Sequence, residues 1–163
     1  MNTEIDAIVP ALADALRSAG LKIASAESCT GGLIAAACTT VAGSSDWFER
    51  GFVTYSNEAK IEMLGVAPAL IAEHGAVSEP VARAMAEGAI GRSRAQLAVA
   101  VTGVAGPSGG SPSKPVGTVW LAWARVDQAT RTERLSLSGD RRAIREQTVQ
   151  HALQRLLDFA RAG

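Results

Sequence analysis

The chain has 163 residues, 47% of them apolar, which suffices for one domain with a full hydrophobic core and no stapling cross-links. Sixteen basic and sixteen acidic side chains cancel to a formal net charge of zero, and the aromatic set is three Trp, three Phe and one Tyr, a composition that argues against a broad nucleic-acid surface. No apolar run reaches the roughly 18 residues of a membrane span, and Glu4 and Asp6 stand where a signal peptide would be basic, so a cytoplasmic chain with no membrane contact is expected.

Taken in chain order, Ile5, Ile8, Val9, Leu12 and Leu16 recur at helical spacing, with Gly20 as a C-terminal cap. Pro10 conflicts with a continuous helix at a cost of about 3 kcal/mol, so this helix is expected to begin near Pro10 or to kink there. Residues 22–26 read as a strand and residues 30–38 as an alanine-rich helix, with a strand-to-helix turn between them. A second strand is predicted over residues 52–55 and a short helix over 57–64. Ser78 then caps a helix over 79–90 that carries Val81, Met85 and Ala89 on one face. Residues 97–102 form a continuous apolar run of the kind found in buried central strands. After a loop rich in Gly, Pro and Ser, residues 116–124 and 131–137 read as an antiparallel pair. Asp140 caps a final helix with Ile144, Val149, Leu153, Leu156 and Leu157 facing inward. Early alternation of helix and strand followed by a late hairpin predicts an α/β fold: a three-layer α/β/α sandwich on a mixed, partly parallel sheet, in a single domain.

In such sheets ligands sit beyond the carboxyl ends of the strands, and three polar loops fall there. The first, Ala26-Glu27-Ser28-Cys29-Thr30-Gly31-Gly32, sets three possible nucleophiles at a helix N-terminus, where backbone amides bind anions or form an oxyanion hole. A plain helix cap built by Ser28 or Thr30 explains the same residues. The second loop holds Tyr55, Asn57 and Lys60. Lys60 is either an ordinary helix-surface lysine or a general base whose burial depresses its pKa, and Tyr55 either closes over a ring or sits half-buried in the core. The third, residues 102–110, is glycine-rich but lacks the G-x-x-x-x-G-K-[ST] pattern and leads to a strand, so it is not a Walker A site. Arg141, Arg142 and Arg145 cluster on the first turns of the last helix, as a solvated face or an anion clamp. Cys29 and Cys38 read as reduced thiols. With His74 and His151 the only histidines, neither a metal site nor a Ser-His-Asp triad is expected.

Together the loops resemble the CinA C-terminal domain family. The resemblance rests on A-E-S-C-T-G-G over residues 26–32, Gly43-Ser44-Ser45, G-F-V-T-Y-S-N-E-A-K over 51–60, Gly65-Val66, Gly75-Ala76-Val77-Ser78, T-G-V-A-G-P-S-G-G over 102–110 and K-P-V-G-T-V over 114–119. It implies an α/β/α fold that forms homo-oligomers, here the stand-alone form with one domain over residues 1–163; longer members carry a molybdopterin-binding-like domain. It also implies nicotinamide-nucleotide amidase activity in pyridine nucleotide recycling: nicotinamide mononucleotide and water give nicotinate mononucleotide and ammonia, with no cofactor, metal or nucleic-acid partner. By that resemblance Ser28 is the nucleophile and Lys60 its base, with Cys29 the chemical rival. Thr30, Gly31 and Gly32 supply turn amides, while Tyr55, Asn57 and Thr102 are candidates for orienting the base or carboxamide. Arg145 and the loop containing Gly103 and Gly106 are candidates for the phosphate. The alternatives are a non-catalytic nucleotide-binding or competence-associated module, and a Ser/Lys amidase for another amide.

Overall fold

The computed structural model describes residues 2–162. Helix α1 runs Thr3–Ala19, capped by Asn2, whose side chain accepts the Ile5 N–H at 2.8 Å, and it ends at Gly20 in the left-handed region. It therefore begins well before Pro10, contrary to a start there, and Pro10 lies inside it on an exposed face. The opposite face buries Ile5, Ile8, Val9, Leu12, Ala13 and Leu16. At about 1.5–3 kcal/mol for each large side chain, that burial outweighs the proline penalty of about 3 kcal/mol.

The remaining elements are β1 (Ile23–Glu27), α2 (Leu33–Cys38), a single 3-10 turn (Ser44–Asp46), β2 (Phe48–Val53), α3 (Asn57–Leu64), α4 (Pro68–His74), α5 (Glu79–Gly91), β3 (Leu97–Gly103), β4 (Thr118–Arg125), β5 (Arg131–Ser136) and α6 (Arg141–Arg161). They form one five-stranded sheet in the order β2-β1-β3-β4-β5. Strand β1 is parallel to both β2 and β3, whereas β3/β4 and β4/β5 are antiparallel. The α/β class and the mixed sheet are as expected. The second strand lies upstream of the predicted position: Glu49-Arg50-Gly51 interrupt the apolar pattern, but β2 is an edge strand, where charged residues are tolerated and discourage further pairing. Helix α4 was not anticipated; it buries no residue and so leaves no periodic stripe in the sequence. Helix α2 begins at Leu33 because residues 30–32 belong to the preceding turn.

Alternation along the strands sorts the two faces by size. Ile23, Leu97, Val99, Val101, Val119, Leu121 and Trp123 join α1, α2 and α6 in one core. Ala24, Ala26, Ala98, Ala100, Ala122 and Ala124 form the other, against Val81, Ala82, Met85, Ala86 and Ala89 of α5. An alanine face lets α5 lie close to the sheet. Gly88 extends that close packing to α3: a Cβ there would stand 2.1 Å from the Leu64 carbonyl oxygen. No helix among the described residues is long and apolar enough to cross a membrane.

Candidate active site

Because β1 lies between β2 and β3 and runs parallel to both, the carboxyl ends of the three strands meet at one edge. Glu27 is in register with Val53 on one side and Val101 on the other. The next residues, Ser28, Thr54 and Thr102, therefore emerge together. The Ser28 N–H continues the ladder by donating to the Val101 carbonyl at 3.1 Å, and the Thr54 N–H donates to that of Glu27 at 2.8 Å. A cleft of about 210 Å³ opens here, lined by Ser28, Cys29, Tyr55, Asn57, Lys60, Thr102, Gly103 and Arg141 among others. All three predicted loops thus contribute to one cavity. Ala76 and Val77 complete its lining; the Thr102 hydroxyl donates to the Ala76 carbonyl at 2.9 Å and ties that segment down.

Lys60 lies 1% exposed on α3, one helical turn before buried Leu64 and on the same face. Its Nζ stands 3.0 Å from Ser28 Oγ and within reach of the Thr54 and Tyr55 carbonyls at 3.0 and 3.2 Å, with the Ser56 carbonyl at 3.5 Å. As an ammonium it donates to both nearer carbonyls and to Ser28. As an amine it keeps the two carbonyl bonds and turns its lone pair to the Ser28 hydroxyl. One set of atomic positions thus serves both protonation states. Burial lowers the Lys60 pKa from its ordinary value, opposed by Cys29 and the Glu58 carboxylate.

Cys29 is buried, and that burial pushes its thiol up to about 11, so at neutral pH it is a protonated, enclosed group and a poor nucleophile. Cys38 is also a free, buried thiol. Among the described residues no group of three or more His, Cys, Asp or Glu is arranged to hold a metal ion.

The turn after Ser28 is built by Gly31 and Gly32, at φ 57° and 108°, a region other residues enter only with strain. Within it the Gly31 N–H donates to the Ser28 carbonyl at 3.0 Å and the Leu33 N–H to that of Thr30 at 3.0 Å. Glu27, to which the sequence reading gave no role, is wholly buried. Its carboxylate accepts the Thr30 hydroxyl at 2.6 Å and the Ile34 and Ala35 amides at 2.8 and 3.1 Å. A glutamate ending a buried strand just before a helix is the signal that marked it.

Thr30 is fully buried, and its hydroxyl is committed to Glu27. Asn57 opens α3 at the cleft wall, and Tyr55 is 59% exposed at the mouth, so it is not a core tyrosine. Gly103 ends β3 and lines the cleft. Arg145 does not line it: its Nε and Nη2 donate to the Cys29 and Thr30 carbonyls at 3.0 and 3.2 Å. Arg141, one helical turn earlier on the same face of α6, is the arginine that reaches the mouth. It donates to the Gly106 carbonyl at 2.8 Å and to the Tyr55 hydroxyl at 3.1 Å. Both arginines belonged to the cluster seen in the sequence; helical spacing alone cannot say which reaches the cavity.

An α/β/α sandwich with a buried serine–lysine pair beyond the carboxyl ends of parallel strands defines the class of this protein. The chain belongs to the CinA C-terminal domain family, whose profile matches residues 5–160. It is 52% identical over 155 residues to the nicotinamide-nucleotide amidohydrolase PncC of Escherichia coli K12, covering 95% of this chain and 94% of that protein. The protein of the same name from Pseudomonas putida is 53% identical over 155 residues, covering 95% and 96%. Among solved structures, the competence/damage inducible protein CihA of Agrobacterium tumefaciens superposes with a TM-score of 0.95 at 45% identity, covering 97% of this chain and 96% of that one.

Proposed function

We propose that this chain hydrolyses the carboxamide of nicotinamide mononucleotide to nicotinate mononucleotide and ammonia, with Ser28 as nucleophile and Lys60 as base, and so serves pyridine nucleotide recycling. The observation that carries the reading is the 3.0 Å separation of Lys60 Nζ and Ser28 Oγ, two buried side chains lining the cleft. The names of the relatives supply the substrate.

The chemistry runs in two halves. Neutral Lys60 takes the hydroxyl proton as Ser28 Oγ attacks the amide carbon. The oxyanion forms beside the 28–32 turn, where the Ser28 and Gly31 N–H groups are already engaged and those of Cys29, Thr30 and Gly32 stand outside that bonding. One well-placed donor of this kind is worth roughly 3 kcal/mol. The C–N bond then breaks as the Lys60 ammonium passes its proton to the leaving nitrogen, which departs as ammonia. Water attacks the Ser28 acyl ester with Lys60 again as base, releasing nicotinate mononucleotide and restoring the hydroxyl. Arg141 has guanidinium hydrogens beyond its two bonds and stands at the mouth; it takes the phosphate role first assigned to Arg145.

The test is ammonia release from nicotinamide mononucleotide by the wild type and by Ser28→Ala with Cys29 retained. The variant is expected to lose at least about a thousandfold in kcat. Saturable binding of the nucleotide without ammonia from the wild type would instead describe a binding module. Equal turnover of free nicotinamide would remove the ribose phosphate from the specificity.

A further inference from the structure

We infer that Glu27 and Arg145 are positioning residues that grip the Ser28–Thr30 turn at two points and fix the direction of its amide hydrogens. The inference rests on the Ser28 mechanism and assigns a purpose to two groups that do not touch the cleft.

A trans peptide is planar, so its C=O and N–H point in opposite directions. Whatever holds a carbonyl therefore aims the amide that follows it. Arg145 Nε holds the Cys29 carbonyl at 3.0 Å, which sends the Thr30 N–H away from α6. Arg145 Nη2 holds the Thr30 carbonyl at 3.2 Å, which sends the Gly31 N–H the other way, where it meets the Ser28 carbonyl at 3.0 Å. That bond in turn orients the Cys29 N–H. One guanidinium thus fixes three successive peptide planes, using the forked donor geometry that a lysine lacks.

Glu27 holds the chain at a second point. It directly precedes Ser28, and its carboxylate is bound to the Thr30 hydroxyl and to the first-turn amides Ile34 and Ala35 of α2. Ser28 is therefore flanked by two anchored residues, Glu27 before it and Thr30 after it. Gly31 and Gly32 would otherwise leave this segment free to flip its peptides, because glycine adopts left-handed and right-handed conformations alike. The two grips remove that freedom before substrate arrives.

Arg145→Met and Arg145→Lys provide the first test, because Arg145 is only half-buried on the surface of α6 and the fold tolerates its loss better than that of a core residue. Arg145→Met is expected to lower kcat about a hundredfold, the effect of an ångström-scale misplacement, with KM changed less than threefold and the acid limb of the pH–rate profile unmoved. Arg145→Lys should recover little, since a point charge cannot hold two carbonyls as a fork does. Glu27→Gln should fall between wild type and Glu27→Ala, because its amide oxygen still accepts while its NH2 opposes a helix amide. A second readout is independent of the substrate assignment. Phenylmethanesulfonyl fluoride sulfonylates Ser28 with loss of HF, and its rate, followed by intact mass, should fall in parallel with kcat in the Arg145 variants. A rise in KM alone would make Arg145 a substrate contact. Unchanged kcat and unchanged sulfonylation in Arg145→Met would overturn the inference. If sulfonylation of Ser28 slows while no variant, nor the wild type, deamidates nicotinamide mononucleotide, the grip stands and the substrate assignment fails.

Discussion

At the scale of single residues, the decisive feature is a lysine held where its charge is disfavoured. Burial lowers the Lys60 pKa. In the proposed mechanism Lys60 must be neutral to accept the Ser28 proton, so activity is expected to be lost as pH falls through that lowered pKa and to be full above it. The expected kcat/KM profile therefore rises with pH, with its midpoint below the ordinary lysine value. Lys60→Arg, which keeps the charge but cannot release its proton in this range, should abolish both the turnover and the rising limb; an unchanged limb in that variant would assign it to another group. Cys29 shows the converse. Burial drives its pKa upward, so the thiol beside Ser28 stays protonated. Its intrinsic nucleophilicity consequently does not decide the chemistry. The sequence displayed Ser28, Cys29 and Lys60 plainly but carried no record of burial, which is what distinguishes Lys60 from a surface lysine and leaves Cys29 a protonated, enclosed thiol.

At the scale of elements, the site depends on close approach between layers. Lys60 reaches Ser28 because α3 leaves the end of β2 and presents Lys60 and Leu64 inward on one face. The helix is held there by α5, whose Gly88 faces the Leu64 carbonyl with no room for a Cβ. Alanine at a helix interior gains up to about 1 kcal/mol over glycine, but driving a Cβ into backbone costs about 1–3 kcal/mol. Gly88→Ala is therefore expected to destabilise the protein by about 1–2 kcal/mol in urea unfolding and to reduce kcat by shifting α3. A stabilised variant with wild-type turnover would show that the two helices separate at no cost. On the other side of the sheet, α6 contributes two arginines one turn apart with different tasks: Arg141 at the cleft mouth and Arg145 on the turn carbonyls. The spacing placed both on one face of the helix, whereas the depth at which each meets the rest of the chain belongs to the packed structure.

For the whole molecule, the organising asymmetry is one sheet face of large side chains and one of alanines. The large face carries α1, α2 and α6, and the small face draws α5 in. Ala98→Leu tests this at a position wholly buried in the small face and at the opposite end of β3 from Thr102. Overpacking there should cost about 1–3 kcal/mol while leaving the KM for nicotinamide mononucleotide within about twofold, because the cleft lies beyond the other end of the strand. Denaturant melts beside initial-rate kinetics measure both, and a variant of unchanged stability would mean that α5 has room to move outward.

The sequence by itself determined the types of every strand and every α-helix but α4, the mixed α/β sheet and the three loops, because each rests on local signals: periodicity of two or 3.6, caps, and glycine-rich turns after apolar runs. It misjudged Pro10, where the burial of a whole helix face overrides a local penalty, and it started β2 late, since an edge strand need not look apolar. Only the tertiary structure decided that residues 32 positions apart stand at hydrogen-bond distance, that Lys60 is buried, that Arg141 faces the cleft and Arg145 does not, and that Glu27 is an anchor. The physical reason is that pKa, donor direction and access depend on which groups are brought alongside through space, and parallel pairing of β1 with both β2 and β3 brings distant segments to one edge.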